Sequence, residues 1–390
     1  MADEKAIKNA LSFINKFEYK RKERVSTGVL PLDIVLNKGI ELGGCYAIAS
    51  PPGGGKTTLM LQVCKHQCDN GKFVVYADIE QGLKDEQIRG AGLEKYLQPI
   101  NGEKYPRFFV INTLYSYSDF QNFCRSIVAL KNNGEVSYDI IFADSLSTLV
   151  ANNILEGDCE AATIAADARP LSKLVKSVKP VLGVAGITLF NIVQAGTNIG
   201  GGQWEPEWVA KVTKAIEHAV DGLILLEHPT AKSYKIWGKQ KTPDGEVDVE
   251  VGYYGKLYTT KARSGLNRIK LIVPMIAGVG CENVWYLMDS LIKTGVVVKG
   301  TKYYKYNDAN GVEQRLEGEP EFRKFVAENF ERLVKLMYDL GYYDLTNNTT
   351  VTRIASIEPS EIQGAGVSQE ELNNELEGTV EDANSSEQFI

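Results

Sequence analysis

The sequence predicts an α/β protein built on a mainly parallel β-sheet that is flanked by helices. Continuous apolar runs recur along the chain and are separated by helical or polar segments, a pattern typical of parallel strands that are buried on both faces and joined by crossover helices. One run also leads into a glycine-rich turn and a predicted helix. The runs cover residues 45–50, 72–78, 138–144, 186–194 and 220–226.

The glycine-rich turn after the first run has the composition of a phosphate-binding loop. Glycines let successive backbone N–H groups surround an anion, and the following helix points its positive dipole end at the same place. Lys56 supplies a mobile charge for the β and γ phosphates, and the Thr57 hydroxyl is placed to bind Mg²⁺. We therefore predict ATP and Mg²⁺ as cofactors. The predicted nucleotide contacts are Ser50, Pro51, Pro52, Gly53, Gly54, Gly55, Lys56, Thr57, Thr58 and Asp144.

One position departs from the usual G-x-x-x-x-G-K-[ST] pattern, because Ser50 stands where that pattern has its first glycine. Serine is small, so the turn is expected to form. The alternative is a glycine-rich loop that only turns the chain.

The remaining elements divide the chain into four parts. Residues 1–27 carry apolar side chains at helical spacing and predict an amphipathic helix that packs on its own core or docks on a neighbouring subunit. Residues 28–279 form the sheet domain, in which 256–263 and 267–273 predict an antiparallel hairpin at the sheet edge. Residues 280–346 form a small α/β domain with a strand near 302–306 and a helix over 321–340. Residues 347–390 have the composition of a disordered tail.

Composition excludes several classes of protein. No run of eighteen apolar residues exists and the N-terminus lacks the order of a signal peptide, so we expect a cytoplasmic protein with no membrane partner. The six cysteines are scattered, which favours free buried thiols over a disulfide or zinc framework. The net charge of −7 is concentrated in the last 35 residues, which contain nine acidic side chains and no Lys or Arg, so the rest of the chain is mildly basic.

Three polar residues end apolar runs and are candidates for chemistry. Asp144 stands where nucleotide-binding folds place the acid that holds Mg²⁺, although a strand-ending Asp often only caps a helix. Glu80 is placed to orient the water that attacks the γ-phosphate or to take its proton, with a surface charge as the alternative. Gln194 ends the run 186–194 and is placed to sense the γ-phosphate through a hydrogen bond.

Two segments are candidates for nucleic-acid contact. The segment that follows Gln194 is rich in glycine and contains Trp204 and Trp208, which suits stacking on single-stranded bases; an ordinary surface loop is the alternative. The segment 156–163 precedes a predicted helix that carries Arg169, Lys173, Lys176 and Lys179. Their spacing suits a phosphate track, and equally a solvated helix face.

Together these residues resemble the bacterial RecA recombinases and their phage relatives of the UvsX kind, over about residues 5–340. The match is densest from Ser26 to Ile34 and from Gly55 to Val63. It continues at Asp78 and Glu80, at Asp144-Ser145, at Gln194, and at Lys261 and Arg263.

The resemblance implies a RecA-type P-loop ATPase core and specific roles. Glu80 is implied to be the catalytic glutamate and Gln194 the switch between the γ-phosphate and DNA. Lys261 and Arg263 are implied to reach a neighbouring subunit's nucleotide, so that copies assemble into a helical filament. The segments 156–164 and 195–209 are implied to be the two DNA-binding loops. The candidate DNA contacts are Arg169, Lys173, Lys176, Thr197, Asn198, Gly200, Gly201 and Trp204.

The resemblance also implies partners: single-stranded DNA, homologous double-stranded DNA, and other copies of the chain. The acidic tail is a candidate site for single-strand-binding and mediator proteins. The sequence differs from the family pattern at Ser50, at Gln87, where many relatives have an aromatic side chain against adenine, and in a second DNA loop that is richer in Gly and Trp.

The first hypothesis is therefore a DNA-dependent ATPase that pairs and exchanges homologous strands. The alternatives are a ring-forming helicase on the same fold, and a non-catalytic nucleotide-regulated DNA-binding protein if Ser50 disables the loop.

Overall fold

The structure, a computed structural model, describes residues 22–151, 168–198, 207–212, 214–242, 245–263, 268–308 and 310–344. The predicted N-terminal helix, the whole of the first candidate DNA loop, the centre of the second, and the acidic tail lie outside these ranges.

The described strands and helices are as follows. The strands are β1 Arg24–Val25, β2 Ile40–Glu41, β3 Cys45–Ser50, β4 Phe73–Asp78, β5 Phe108–Ile111, β6 Tyr138–Asp144, β7 Thr188–Thr197, β8 Trp208–Ala210, β9 Gly222–Glu227, β10 Lys235–Thr242, β11 Gly245–Ala262, β12 Lys270–Ile276, β13 Gly280–Cys281, β14 Val298–Lys299, β15 Tyr303–Asn307 and β16 Glu313–Glu317. The helices are α1 Leu30–Val35, α2 Lys56–Asp69, α3 Asp85–Gly90, α4 Tyr117–Asn132, α5 Ala168–Val184, α6 Lys214–Ala219, α7 Asn283–Lys293, α8 Gly318–Glu328 and α9 Phe330–Asp339.

The central sheet has the strand order β13-β12-β11-β9-β3-β7-β6-β4-β5. The six strands from β9 to β5 are parallel, and β11, β12 and β13 continue the sheet with antiparallel pairing. The predicted α/β class, mainly parallel sheet and antiparallel edge are therefore confirmed.

Helices cover both faces of this sheet because successive strand residues point to opposite sides. On one side, Tyr46 and Ile48 of β3 share a buried cluster with residues of α1, α2 and α3. On the other side, Cys45 and Ala47 of β3 pack with residues of α4, α5 and α6. This placement leaves the carboxyl ends of β3, β4, β6 and β7 together at one end of the sheet, where ligands bind in open α/β folds.

The C-terminal region forms a separate three-stranded sheet of β14, β15 and β16. Tyr304 of this sheet stacks on Phe322 of α8, with ring centroids 4.4 Å apart. Apolar residues of α7, α8 and α9 belong to the same buried cluster as α1 and α2. The small sheet and its helices therefore pack against one side of the main domain.

Three sequence predictions about elements are wrong in extent. The strand predicted to end at Gln194 continues to Thr197, because residues 195–197 pair with β8. The helix predicted over 321–340 is two helices, since Asn329 lies between α8 and α9 in a non-helical conformation. The predicted hairpin begins too late, because β11 starts at Gly245 and pairs first with β10.

Two smaller observations complete the fold. The five cysteines in the described ranges are all buried and free, as predicted, while Cys159 lies outside them. Within the described residues, no helix combines the length and the apolar character needed to cross a membrane.

Candidate active site

The glycine-rich turn joins β3 to α2 at the carboxyl end of the central parallel strand. Gly53 and Gly55 adopt left-handed backbone angles, with φ of 72° and 73°, which glycine adopts without steric cost. Gly55, the N-cap residue, precedes Lys56, the first residue of α2, and has no side chain with which to cap the helix. The first backbone N–H groups of α2 are therefore available to an anion, as the phosphate-loop prediction requires.

Ser50 fits the loop because its position does not demand glycine. It is the last residue of β3 and pairs with Gln194 in ordinary strand geometry. Its buried hydroxyl donates a hydrogen bond of 2.9 Å to the carbonyl oxygen of Gly54. The serine side chain thus links the first and last parts of the phosphate loop, which argues against a disabled loop.

Tyr253 contacts the phosphate loop, and the sequence interpretation missed it. It lies on β11, and its hydroxyl donates a hydrogen bond of 3.0 Å to the same Gly54 carbonyl. Its ring stacks on His228, with centroids 3.8 Å apart. A side chain at Gly55 would also meet this hydroxyl, since a Cβ there would lie 2.8 Å from it. Position 55 therefore requires glycine for two reasons: the left-handed backbone of the turn, and the close approach of Tyr253 on β11.

Asp144 ends β6 and meets the requirements for a metal ligand. Tyr76 on β4 donates a hydrogen bond of 2.7 Å to its Oδ2 atom, whereas Oδ1 is buried without a hydrogen-bond partner in the described part of the chain. Burial raises the pKa of the Asp144 carboxyl, while the Tyr76 bond and the Lys56 charge oppose that rise. A buried carboxylate oxygen without a donor is the kind of ligand that Mg²⁺ prefers, so the residues present fit this ion.

Glu80 lies beside Asp144, two residues beyond the end of β4. The backbone N–H of Glu80 donates to the Asp144 carbonyl oxygen at 2.9 Å, and the hydroxyl of Ser145 donates to Glu80 Oε1 at 2.7 Å. The exposed glutamate therefore lies at the open end of the sheet, next to the candidate metal ligand.

Gln194 also reaches this end of the sheet. Its side chain is exposed, and its backbone oxygen accepts a hydrogen bond of 2.9 Å from the N–H of Lys211. Beyond it, Thr197 pairs with Trp208, and the Asn198 N–H donates to the Glu207 oxygen. Gln194 thus stands at the base of a hairpin that carries the glycine-rich segment.

The candidate DNA residues are only partly described. Thr197 and Asn198 lie at the base of the glycine-rich segment, whereas Gly200, Gly201 and Trp204 lie outside the described residues. Lys173 and Lys176 are exposed on α5. The backbone of Arg169 is in the first turn of α5, and its side chain is outside the description.

Lys261 and Arg263 lie at the opposite end of the sheet from their own phosphate loop. Lys261 pairs with Leu223 near the amino-terminal end of β9, whereas the loop follows the carboxyl end of β3. The Lys261 ammonium contacts the carbonyl oxygens of Glu217 and His218, the former at 2.6 Å. Arg263 contacts the same His218 oxygen, and Asp221 Oδ1 at 3.0 Å. The structure therefore does not bring these cations to the loop of their own chain.

The phosphate loop, the carboxylates at adjacent strand ends and the open parallel sheet define the P-loop nucleotide-binding class. Comparison with known proteins narrows this class. Residues 3–217 match the family model of the RecA N-terminal domain. This chain belongs to the RecA family, the recombinases of DNA recombination and repair.

Individual relatives are distant but align over most of their length. The Protein RecA of Nostoc punctiforme is 26% identical over 341 residues, which cover 86% of this chain and 86% of the relative. That of Synechococcus elongatus is 24% identical over 330 residues, with 81% and 82% covered. That of Aquifex pyrophilus is 25% identical over 338 residues, with 84% and 85% covered.

Proposed function

We propose that this chain is an ATP-dependent recombinase that assembles as a helical filament on single-stranded DNA and exchanges it with a homologous duplex. The observation that carries the proposal is the separation of two groups of residues. The phosphate loop, Glu80, Asp144 and Gln194 lie at one end of the sheet, and Lys261 and Arg263 lie at the other. A complete site then requires a second copy, stacked head to tail, and a head-to-tail contact that does not close gives a filament.

The chain's own residues bind and orient the nucleotide. The N–H groups at the start of α2 and the Lys56 ammonium hold the phosphates. Thr57 and Asp144 would hold Mg²⁺, which would supply positive charge to the phosphates when bound. Glu80 orients the attacking water and accepts its proton. Lys261 and Arg263 of the adjoining copy stabilise the charge that develops on the transferred phosphoryl group.

Gln194 connects this chemistry to DNA. Because it stands at the base of the hairpin that carries the glycine-rich segment, a hydrogen bond between its side chain and the γ-phosphate would favour one arrangement of that segment. We infer that Thr197, Asn198, Gly200, Gly201 and Trp204 contact single-stranded DNA, with Arg169, Lys173 and Lys176 following its phosphates. Hydrolysis then weakens DNA binding.

A ring-forming helicase is a second candidate, because cations at the far end of the sheet suit any head-to-tail assembly, including a closed one. The division into a core of residues 28–279 and a small domain of residues 280–346 is common to both candidates.

Electron microscopy of the full chain with single-stranded DNA and a non-hydrolysable ATP analogue tests the proposal. We expect extended helical filaments on the DNA. Closed rings would favour the helicase, and bare DNA in the presence of bound nucleotide would overturn both.

A further inference from the structure

Two hydroxyl groups from the short segment that follows β6 contact the Glu80 carboxylate, and a third from the same segment contacts one of them. Ser145 Oγ lies 2.7 Å from Glu80 Oε1 and also 2.7 Å from Ser147 Oγ. Thr148 Oγ1 lies 3.3 Å from the Ser145 hydroxyl and 3.5 Å from Glu80 Oε1. The residues 146–148 form a single 3₁₀ turn, which brings these hydroxyls together.

The direction of these hydrogen bonds follows from proton counting. An ionised carboxylate only accepts hydrogen bonds, and a serine hydroxyl has one proton and two lone pairs. The single Ser145 proton is therefore used on Glu80, so Ser147 must donate to Ser145. The result is a chain from Ser147 through Ser145 to Glu80, in which each hydrogen bond polarises the next. A separation of 2.7 Å is typical of a charge-assisted O–H···O⁻ bond.

This chain fixes one oxygen of Glu80 and leaves the other for chemistry. Among the described residues, every hydrogen bond to the Glu80 side chain goes to Oε1. The backbone N–H groups of Ile79 and Glu80 both donate to the Asp144 carbonyl oxygen, at 2.8 and 2.9 Å. The backbone and the side chain of the glutamate are thus both held by the Asp144-Ser145 dipeptide.

The need for such a contact follows from the exposure of Glu80. A glutamate on an exposed turn has three rotatable side-chain bonds, and ordering it costs conformational entropy. Ser145 is fully buried, so its position is set by the core and not by solvent. The hydrogen bond from Ser145 therefore restricts the Glu80 side chain, which would otherwise sample several rotamers.

We propose that Ser145 is a positioning residue for ATP hydrolysis, that it fixes Glu80 through Oε1 so that Oε2 faces the attacking water, and that Ser147 holds the Ser145 hydroxyl in this orientation. This inference rests on the proposed role of Glu80 as the group that acts on that water.

The test is steady-state ATP hydrolysis by the full chain on single-stranded DNA, combined with binding of a non-hydrolysable ATP analogue. Ser145→Ala should lower kcat on the order of 10- to 100-fold, since small misplacement of a reacting group has effects of this size. KM for ATP and analogue affinity should stay within about 2-fold, because Ser145 is not a nucleotide contact. Ser145→Thr, which keeps the hydroxyl, should restore most of kcat.

Ser116 provides a matched control. It is also buried, and its hydroxyl caps α4. Ser116→Ala should lower the melting temperature without changing kcat, because a structural serine acts on stability alone. A parallel fall of analogue affinity and kcat in Ser145→Ala would overturn the proposal, because it would place the effect at the metal ligand Asp144 instead of Glu80.

A double variant separates this inference from the proposed function. In a Glu80→Gln background, Ser145→Ala should cause no further loss. Full turnover in Glu80→Gln alone would refute the role of Glu80, whereas an additive loss in the double variant would refute only the role of Ser145. If Ser145→Ala does not fold, Ser147→Ala provides the test, because Ser147 is exposed. A fall in kcat of about 2- to 10-fold at constant KM would support the chain of hydroxyls. An unchanged kcat would overturn it.

Discussion

Two positions on strand β11 are held in different ways. Near the middle of the strand, the Tyr253 hydroxyl contacts the carbonyl oxygen of Gly54 in the phosphate loop. Eight residues further on, about 26 Å along an extended strand, the Lys261 ammonium contacts carbonyl oxygens near the end of α6. Each copy therefore carries the binding half of one site at its nucleotide end and, in our proposal, the completing half of another site at its cation end.

The difference between the ends suits their tasks. At the nucleotide end, Ser50 and Asp144 are buried and held by hydrogen bonds, in the pairs Ser50–Gly54 and Tyr76–Asp144. Such a site is organised before the ligand arrives, which reduces the cost of binding. At the cation end, the Arg263 side chain is 56% exposed. Because exposed ion pairs are weak, these cations exchange partners at low cost when a second copy docks.

Substitution of the phosphate-loop lysine should have the largest effect, and it should disable the nucleotide end without changing the cation end. In Lys56→Ala, we expect DNA-dependent phosphate release to fall by about 100- to 1000-fold, because a charged donor to the transferred phosphate is lost. Lys65→Ala is the matched control on the same helix. Lys65 pairs with Asp69 on the surface of the described structure, and exposed ion pairs are weak, so its loss should leave turnover unchanged. Unaltered phosphate release in Lys56→Ala would remove the basis of the nucleotide site.

Mixing two inactive variants should then separate the two ends. A chain with Lys261→Ala and Arg263→Ala keeps its loop, and a Lys56→Ala chain keeps its cations. In an equimolar mixture we expect about a quarter of wild-type turnover per chain, because half of the sites have an intact loop and half of those face intact cations.

The control for this mixture is a chain that carries all three substitutions, mixed with the Lys56→Ala chain. This combination has no intact loop and should stay inactive. If the first mixture also stays inactive, Lys261 and Arg263 act within their own chain, and the comparison between the two ends fails.

The parallel half of the fold was predictable because burial on both faces imposes apolar runs that local sequence reveals. Four of these runs became β3, β4, β6 and β9 nearly at their predicted limits, whereas β7 continues three residues past its predicted end. The hairpin of β10 and the first half of β11 was not predictable in this way. Its strands carry paired charges, including Lys235–Glu250 and Lys239–Glu246, in place of a continuous apolar pattern.

Some residues of the candidate site were likewise predictable from local sequence, and others were not. Lys56, Asp144 and Glu80 were identified because each follows an apolar run at a strand end. Tyr76 and Tyr253 were missed because their roles arise from contacts with Asp144 and Gly54, which are 68 and 199 residues away in the sequence. Such contacts depend on strand order and register in the folded sheet, which no local pattern specifies.

The smallest expected effect concerns the contact that joins β11 to the loop. Tyr253→Phe removes one of two hydrogen bonds to the Gly54 carbonyl and leaves the Ser50 bond in place. A lost bond of this kind costs about 1 kcal/mol, which corresponds to an ATP affinity weakened by about 5-fold. Titration with a fluorescent ATP analogue measures this change. Tyr254→Phe is the control, since Tyr254 points to the other face of β11 and packs on Trp285.

Combining Tyr253→Phe with Ser50→Ala sharpens the comparison. Both hydroxyls donate to one carbonyl oxygen, so the double variant should lose more affinity than the sum of the single losses, because a buried acceptor is then left without a donor. Strict additivity would mean that the two bonds act independently on the loop. If Tyr253→Phe instead leaves ATP affinity unchanged but suppresses turnover in the mixing experiment, the nucleotide end and the cation end are not independent, and β11 transmits the state of one site to the next.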